Sequence, residues 1–517
     1  MNCFQFLVRA SERSGGGPFI DAREEQLTYA DTVERAERLA AGLAACGVER
    51  GEHVAVAMPS GTDLLIVFFA LMRLGCVYIP IISGSRPEEV QYVVGHSLAR
   101  TLVISQPELD RLDLDAVDVS GVERLLFLGE DPPPGHVPLA PLSASAPAAD
   151  VDPGEPMAIM YTSGSTGRPK GVVLPHSSFA KAGFLKADRL GYAPEDCVLC
   201  VLPLYHVGGL HYCLAPAMAH GCKVMFQPRF SVSSFWEDVA RSGATGGLLM
   251  PAMMSMLMTV PETAGDRDNT LEVVCSHFVD SGFRDRYDVD IVTTWSLSES
   301  AGIAVYSKRD YAHHAPKLIG WPVGDVDVRV METGGPHLVE APREAIGELA
   351  VRHDAMMTEY WRDPDSTAKA LRDGWLLSGD LGRMDERGRL FFEGRVKNMI
   401  KRSGENISAE EVEDRIMGHP AVRECAVVGV SDPIRTEEAK AYVVCRPGAE
   451  LDAGDLIAWC AEVLSDFKVP RYVQFVEAMP RNATHKIARP ALGAIDGATW
   501  DRESGSWSDS TAVAHRG

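Results

Sequence analysis

Apolar residues recur at helical spacing after Thr28, where Val33, Ala36, Leu39, Ala40 and Leu43 share one face. Thr28 or Asp31 suits the N-cap and Gly47 the stop, so the pattern predicts a helix between them. A strand pattern follows at residues 53–58, then a second helical pattern over 63–74 and a strand at 77–80. Strands alternating with helices predict a sheet with helices on both faces. Residues 131–156, rich in Pro, Ala, Ser and Asp, read as a surface connection inside that body. Beyond about residue 395 the pattern changes. Residues 410–417 predict a helix, and 424–430 and 440–445 predict strands. Residues 455–467 predict a helix with Leu456, Ile457, Cys460, Val463, Leu464 and Phe467 on one face. That is enough for a small α+β domain of about 100 residues. The last twenty residues, 498–517, read as a frayed, disordered tail.

Composition narrows the class. The chain has 517 residues, 46% hydrophobic and 24% charged, which suits a globular protein of several domains. Its net charge of −22 argues against nucleic acid or anionic lipid as a partner. The longest apolar run, residues 64–72, is far short of the ~20 residues that cross a bilayer. The N-terminus carries no basic stretch followed by a long apolar core, so a cytoplasmic protein is expected. Among eleven cysteines, Cys197 and Cys200 form a C-x-x-C in an apolar run, with no second pair to complete a metal site. They read as buried strand thiols in a reducing compartment.

The chemistry concentrates first between Tyr161 and His176. An apolar run at 157–160 leads into Thr162, Ser163, Gly164, Ser165, Thr166 and Gly167, then Lys170, then a helix expected from about Ser177. Glycines let backbone N–H groups turn toward an anion, hydroxyls add donors, and a lysine adds a point charge for phosphate. Lys170 is followed by Gly171, so this is not a Walker A loop.

The segment closely resembles the phosphate-loop signature of the adenylate-forming (ANL) superfamily, which includes acyl-CoA synthetases, peptide-synthetase adenylation domains and luciferases. Further motifs follow in the family's order, from about Leu27 to Leu492. The resemblance implies an α/β fold. A large multi-subdomain N-terminal domain, 1–395, has β-sheets sandwiched by helices. A hinge at 396–397, with Lys397, leads to a small mobile α+β C-terminal lid, 398–497. The run from Pro203 to Gly209 resembles the family's fourth core motif, with His206 as the gate of an acyl pocket beside Gly208 and Gly209. The run from Trp295 to Glu299 resembles the motif written YGxTE. Glu299 then holds the magnesium of Mg-ATP, Ser298 stands for threonine, and Trp295, Ser296, Leu297 and Gly302 border the acid. The resemblance further assigns Asp380 to the ribose, Arg395 to ribose or phosphate, and Ser403, Gly404 and Glu405 to the CoA thioester loop. Lys486 would bridge the substrate carboxylate and the α-phosphate, and forms the catalytic set with Glu299 and His206.

The implied reaction has two halves. A small-molecule carboxylate attacks ATP to give an acyl-adenylate and pyrophosphate, and CoA then displaces AMP. ATP/AMP, Mg2+ and coenzyme A as co-substrate are the expected ligands, and a homodimer is one expected form. Three departures cluster: residues 274–280 replace a small-residue stretch that passes the adenine, Ser296 replaces a glycine, and His485 replaces the glycine before the lysine. They keep open an enzyme that is poor at adenylation and uses a preformed acyl-adenylate. Transfer to a carrier protein or amine, and a non-catalytic acyl-adenylate binder, also stay open. No charged residue in the pocket stretches, which include the Met-rich run 250–258, pairs clearly with an α-amino group. An apolar, aryl or polycyclic acid is therefore expected.

Overall fold

The structure, a computed structural model, describes residues 1–112, 117–129, 131–143, 148–162, 168–309, 315–335, 337–402, 405–481 and 487–509. The chain divides into two compact units. The larger comprises Met1–Arg329, Ala350–Leu377 and Gly388–Leu390, and the smaller Val330–Leu349, Ser378–Arg387 and Phe391–Gly517.

Local rules account for the first elements. The helix Tyr29–Ala45 starts at Thr28, whose hydroxyl accepts from the Asp31 backbone while the Asp31 carboxylate accepts from Thr28 N–H. Its face of Ala36, Leu39, Ala40 and Leu43 is buried. The longest apolar run becomes the helix Thr62–Leu74, buried almost all round and stopped by Gly75 in the left-handed region.

An eight-stranded sheet in the larger unit is mostly parallel: His53–Ala57 lies between Val77–Pro80 and Thr101–Ser105. Val77–Pro80 then pairs with Pro156–Thr162, which forms an antiparallel pair with Lys170–Pro175. The sequence pattern places Lys170 after the glycine- and hydroxyl-rich run and predicts a helix from about Ser177. In the structure Lys170 opens a strand of its own, and the helix His176–Leu190 follows that strand. The β-branched, apolar run Val172–Leu174 fills a buried strand better than a helix turn.

The larger unit's second sheet runs Gln26–Thr28, Pro18–Asp21, Lys223–Phe226, Cys197–Cys200, Gly246–Leu248, Val273–Ser276 and Asp290–Trp295, then Val305–Tyr306 and Leu318–Pro322. From Pro18–Asp21 to Asp290–Trp295 neighbouring strands are parallel, so their carboxyl ends share one edge. Ligands of α/β sheets bind at that edge. Cys197 and Cys200 are buried and free in their strand, and all eleven cysteines are unbridged.

The smaller unit has a seven-stranded sheet with the helices Ala409–Met417 and Ala453–Ala461 packed on it around Val412, Ile416, Val427, Val443, Leu456 and Cys460. Two expectations are corrected here. The predicted helix over 455–467 ends at Ala461; Asp466–Lys468 makes a separate 3-10 turn ahead of Pro470, and Val463 is 69% exposed. Ser465, with its backbone at ψ 145°, separates that turn from the helix. The tail is not frayed from 498: Ala498–Asp501 and Ser506–Asp509 form a hairpin that joins the sheet at Tyr472–Phe475. Trp500 packs on the core, and Asp501 pairs with Arg471 at 3.3 Å. Residues 510–517 lie outside the described residues.

Candidate active site

The phosphate motif lies between the antiparallel strands Pro156–Thr162 and Lys170–Pro175. Thr162 and Lys170 are cross-strand partners, so the motif's ends are fixed, while residues 163–167 (Ser163, Gly164, Ser165, Thr166, Gly167) lie outside the described residues. Lys170 Nζ donates to Ser366 Oγ at 2.7 Å and lies 4.9 Å from the centroid of the Tyr360 ring. Tyr360 Oη donates to Glu299 Oε1 at 2.7 Å. Burial, and after it the Glu299 charge, push the Tyr360 hydroxyl well up, so it stays a donor. The tyrosine is held by its own short strand, Glu359–Tyr360, paired with Lys170–Pro175. Trp361 N–H donates to Gly171 O at 2.7 Å and its indole to His96 O at 3.0 Å. The Glu299 carbonyl accepts from Met357 N–H at 2.7 Å.

The residues expected to border the acid lie at the shared carboxyl edge of the second sheet. Trp295 is buried at the end of its strand. Beyond it Ser296 Oγ is hydrogen-bonded to Tyr212 Oη, which also stands 3.4 Å from Thr294 Oγ1. Leu297 and Ser300 form a tight turn that carries Ser298 and Glu299. Gly302 ends it at φ +69°, where a Cβ would come within 2.6 Å of the Tyr212 ring. His206 is exposed at the start of the turn Val207–Gly209, its ring 5.0 Å from Tyr205. Gly208 follows it. Gly209 packs so tightly that a Cβ would stand 2.4 Å from Pro203 O. His277 and Phe278, at the end of Val273–Ser276, are exposed, Phe278 by 52%. In the Met-rich stretch Met254 is core and Met256 is 50% exposed.

In the smaller unit Asp380 is buried and pairs with Arg395 Nε at 3.3 Å. Its backbone N–H donates to Ser378 Oγ, and Gly379 N–H donates to Glu348. Lys397 is exposed in the 3-10 turn Val396–Asn398. Glu405 begins the strand Glu405–Ser408, whereas Ser403, Gly404, His485 and Lys486 lie outside the described residues.

Three residues escaped the sequence reading. Tyr360 and Ser366 sit about sixty residues beyond Glu299, with no spacing rule to link them. Lys186 left a signal: it falls on the face of Phe179, Ala182, Gly183, Ala187 and Leu190, a charge on a buried stripe.

The donor set fits a nucleotide with its ion. Among the described residues no group of three metal-ligating side chains exists. Glu299 is partly exposed, and only its Oε1 is engaged by Tyr360. One carboxylate suits a magnesium that arrives with phosphates.

Comparison with known proteins places this arrangement. Residues 7–361 match the family model described as AMP-binding enzyme, and residues 411–486 match its C-terminal domain. The chain therefore belongs to the AMP-binding, adenylate-forming enzyme family. A sulfoacetate–CoA ligase of Cupriavidus necator is 32% identical over 475 residues, 90% of this chain and 92% of that one. A crotonobetaine/carnitine–CoA ligase of Proteus mirabilis is 29% identical over 90% and 93% of the two chains. The crystal structure of ATP-bound MatB from Rhodopseudomonas palustris superimposes with a TM-score of 0.84 at 26% identity, covering 95% of this chain and 98% of that one. Within the family the protein is an ATP-dependent acid–CoA ligase of the acyl-CoA synthetase branch. No helix among the described residues is long and apolar enough to cross a membrane.

Proposed function

We propose that the chain activates a small carboxylic acid and passes it to CoA in two steps. A carboxylate oxygen attacks the α-phosphorus of ATP, and pyrophosphate leaves. The CoA sulfur then attacks the acyl carbon, AMP leaves with the C–O bonding pair, and the thiol proton goes to solvent. The observation that carries this reading is the array Lys170–Tyr360–Glu299. It holds a cation for phosphate over the face of one aromatic ring and a carboxylate for an ion at that ring's hydroxyl. Magnesium, when bound, would offset triphosphate charge beside Glu299. Thr162 with residues 163–167, together with Ser298, would donate to the phosphates. Asp380 would accept from the ribose hydroxyls with Arg395 beside it, and charge-assisted bonds make that contact strong. Lys486 would stabilise charge developing between the two anions. We take 1–395 as the body, Lys397 at the hinge, and 398–497, with the hairpin 498–509 on its sheet, as a lid that exchanges Lys486 for the segment of Ser403, Gly404 and Glu405. The eleven free cysteines support a reducing, cytoplasmic setting.

His206, Gly208, Gly209, Trp295, Ser296, Leu297 and Gly302 would border the acid. An apolar or aryl acid is one arm of the substrate test. The relatives named for sulfoacetate and for crotonobetaine or carnitine favour a second arm of compact, charged acids. The experiment incubates the protein with an acid panel, Mg-ATP and CoA, then with synthetic acyl-adenylate and CoA. Thioester in both mixtures supports the full reaction. Thioester only in the second supports the reading in which adenylate is made elsewhere. Replacing CoA by a carrier-protein thiol or an amine tests the other acceptors. No product with any acceptor would leave a binder.

A further inference from the structure

Lys186 is buried in the helix His176–Leu190 and has no place in the steps above. Its ammonium nitrogen donates to His211 O at 2.9 Å and lies 3.9 Å from the centroid of the Tyr212 ring. The buried thiols Cys275 and Cys213 neighbour it, and among the described residues no carboxylate pairs with it. Burial lowers its pKa to about 7.

Plain packing does not call for such a residue. Leucine or methionine fills a similar volume without burying an amine. An ammonium carries three donors, and this one has a single carbonyl and a ring face. A buried charge without a counter-ion is costly enough that such groups are paired or lose the charge. The amine also touches the acid side of the site. Tyr212, whose ring covers it, reaches Ser296 Oγ with its hydroxyl. Gly302 admits the amine to the pocket turn: any Cβ there would stand 3.1 Å from Nζ.

We infer that Lys186 recognises a second anionic group on the acid, a carboxylate or sulfonate remote from the carboxyl group that is activated, with the Tyr212 and Ser296 hydroxyls beside it. This rests on the acid–CoA ligase reading and replaces the apolar acid by a dianionic one. Charge and hydroxyl donors together would bind the remote group by charge-assisted hydrogen bonds, and a monoanionic acid would forfeit them while leaving the amine buried alone.

The test measures thioester formation with Mg-ATP and CoA for acids matched in length: propionate against malonate and sulfoacetate, and butyrate against succinate, with benzoate as the aryl arm. The wild type is expected to favour a dianionic acid in kcat/KM by on the order of 10- to 100-fold. Malonate against sulfoacetate separates carboxylate from sulfonate. Lys186→Met is expected to bring the ratio near one, chiefly through a higher KM for the dianion, and Lys186→Arg to retain part of it. A wild type that prefers propionate, butyrate or benzoate overturns the inference and leaves the ligase reading standing, and this comparison needs no variant to fold. A Lys186→Met variant that keeps the dianion preference overturns it too. No thioester with any acid, alongside thioester from synthetic acyl-adenylates, overturns the adenylation reading and this inference together.

Discussion

Tyr360 and Glu299 are joined by a 2.7 Å hydrogen bond, and the ring of the same tyrosine lies beneath the Lys170 ammonium. One side chain thus positions two groups of opposite charge. Tyr360→Phe keeps the ring and removes the bond. A hydrogen bond to a carboxylate contributes about 1.5–3 kcal/mol, so pyrophosphate release should fall about 10- to 100-fold. The magnesium concentration giving half the maximal rate should rise. An unchanged magnesium dependence would show that the tyrosine does not position Glu299.

Gly302→Ala should destabilise the larger unit by about 2–3 kcal/mol, because backbone strain adds to a clash. The residue sits at φ +69°, with Tyr212, Val207 and Lys186 within 3.1 Å of the new methyl. Gly16→Ala is the control, having φ +82° and nothing within 4 Å. Thermal unfolding of the two variants should separate them clearly, and equal melting temperatures would remove the packing part.

Stability should fall on acidification from neutral pH. His176 is buried, and burial lowers its pKa from 6.5 to about 4. Between those values the unfolded chain binds a proton that the folded chain refuses, so stability present above pH 6.5 is lost as pH falls toward 4 and is flat below. The group's share is about 3 kcal/mol. His353 is lowered to about 4 in the same direction, also chiefly by burial. Denaturant unfolding at pH 7 and pH 4.5 should show a smaller difference for His176→Gln than for the wild type.

Thr499→Val should weaken the smaller unit. Lys440 is buried, its amine donates to Thr499 Oγ1 at 3.0 Å, and burial lowers its pKa to about 8. Removing the acceptor leaves a buried donor unsatisfied, at about 1–3 kcal/mol. Deleting residues 498–517 should be worse, since the Trp500 contact and the Asp501–Arg471 pair go with it. A deletion variant as stable as the full chain would mean that the hairpin adds nothing.

The readable parts of this chain were those governed by local rules. The capped helix at Tyr29, the strand at Val77 and the buried thiols at Cys197 and Cys200 follow from periodicity and end signals within a few residues. The family motifs single out Glu299, Asp380 and Lys170 as candidates by their neighbouring residues. Contacts across long separations were not legible. Tyr360 reaches Glu299 only because a two-residue strand pairs with Lys170–Pro175. The hairpin at 498–509 looked like a tail because its stabilising partners, Lys440 and Arg471, are remote in sequence. Lys186 was visible as a charge on an apolar stripe, but its neighbours come from three other segments.

The two units are threaded through one another in sequence. The chain passes between them at Arg329, Leu349, Leu377, Arg387 and Leu390. The smaller unit is therefore assembled from three separate stretches of chain. A gene fragment starting at Phe391 would encode its main sheet yet omit Val330–Leu349 and Ser378–Arg387, and with the latter Asp380. A single crossover between relatives at any one of these passages would leave a smaller unit of mixed parentage.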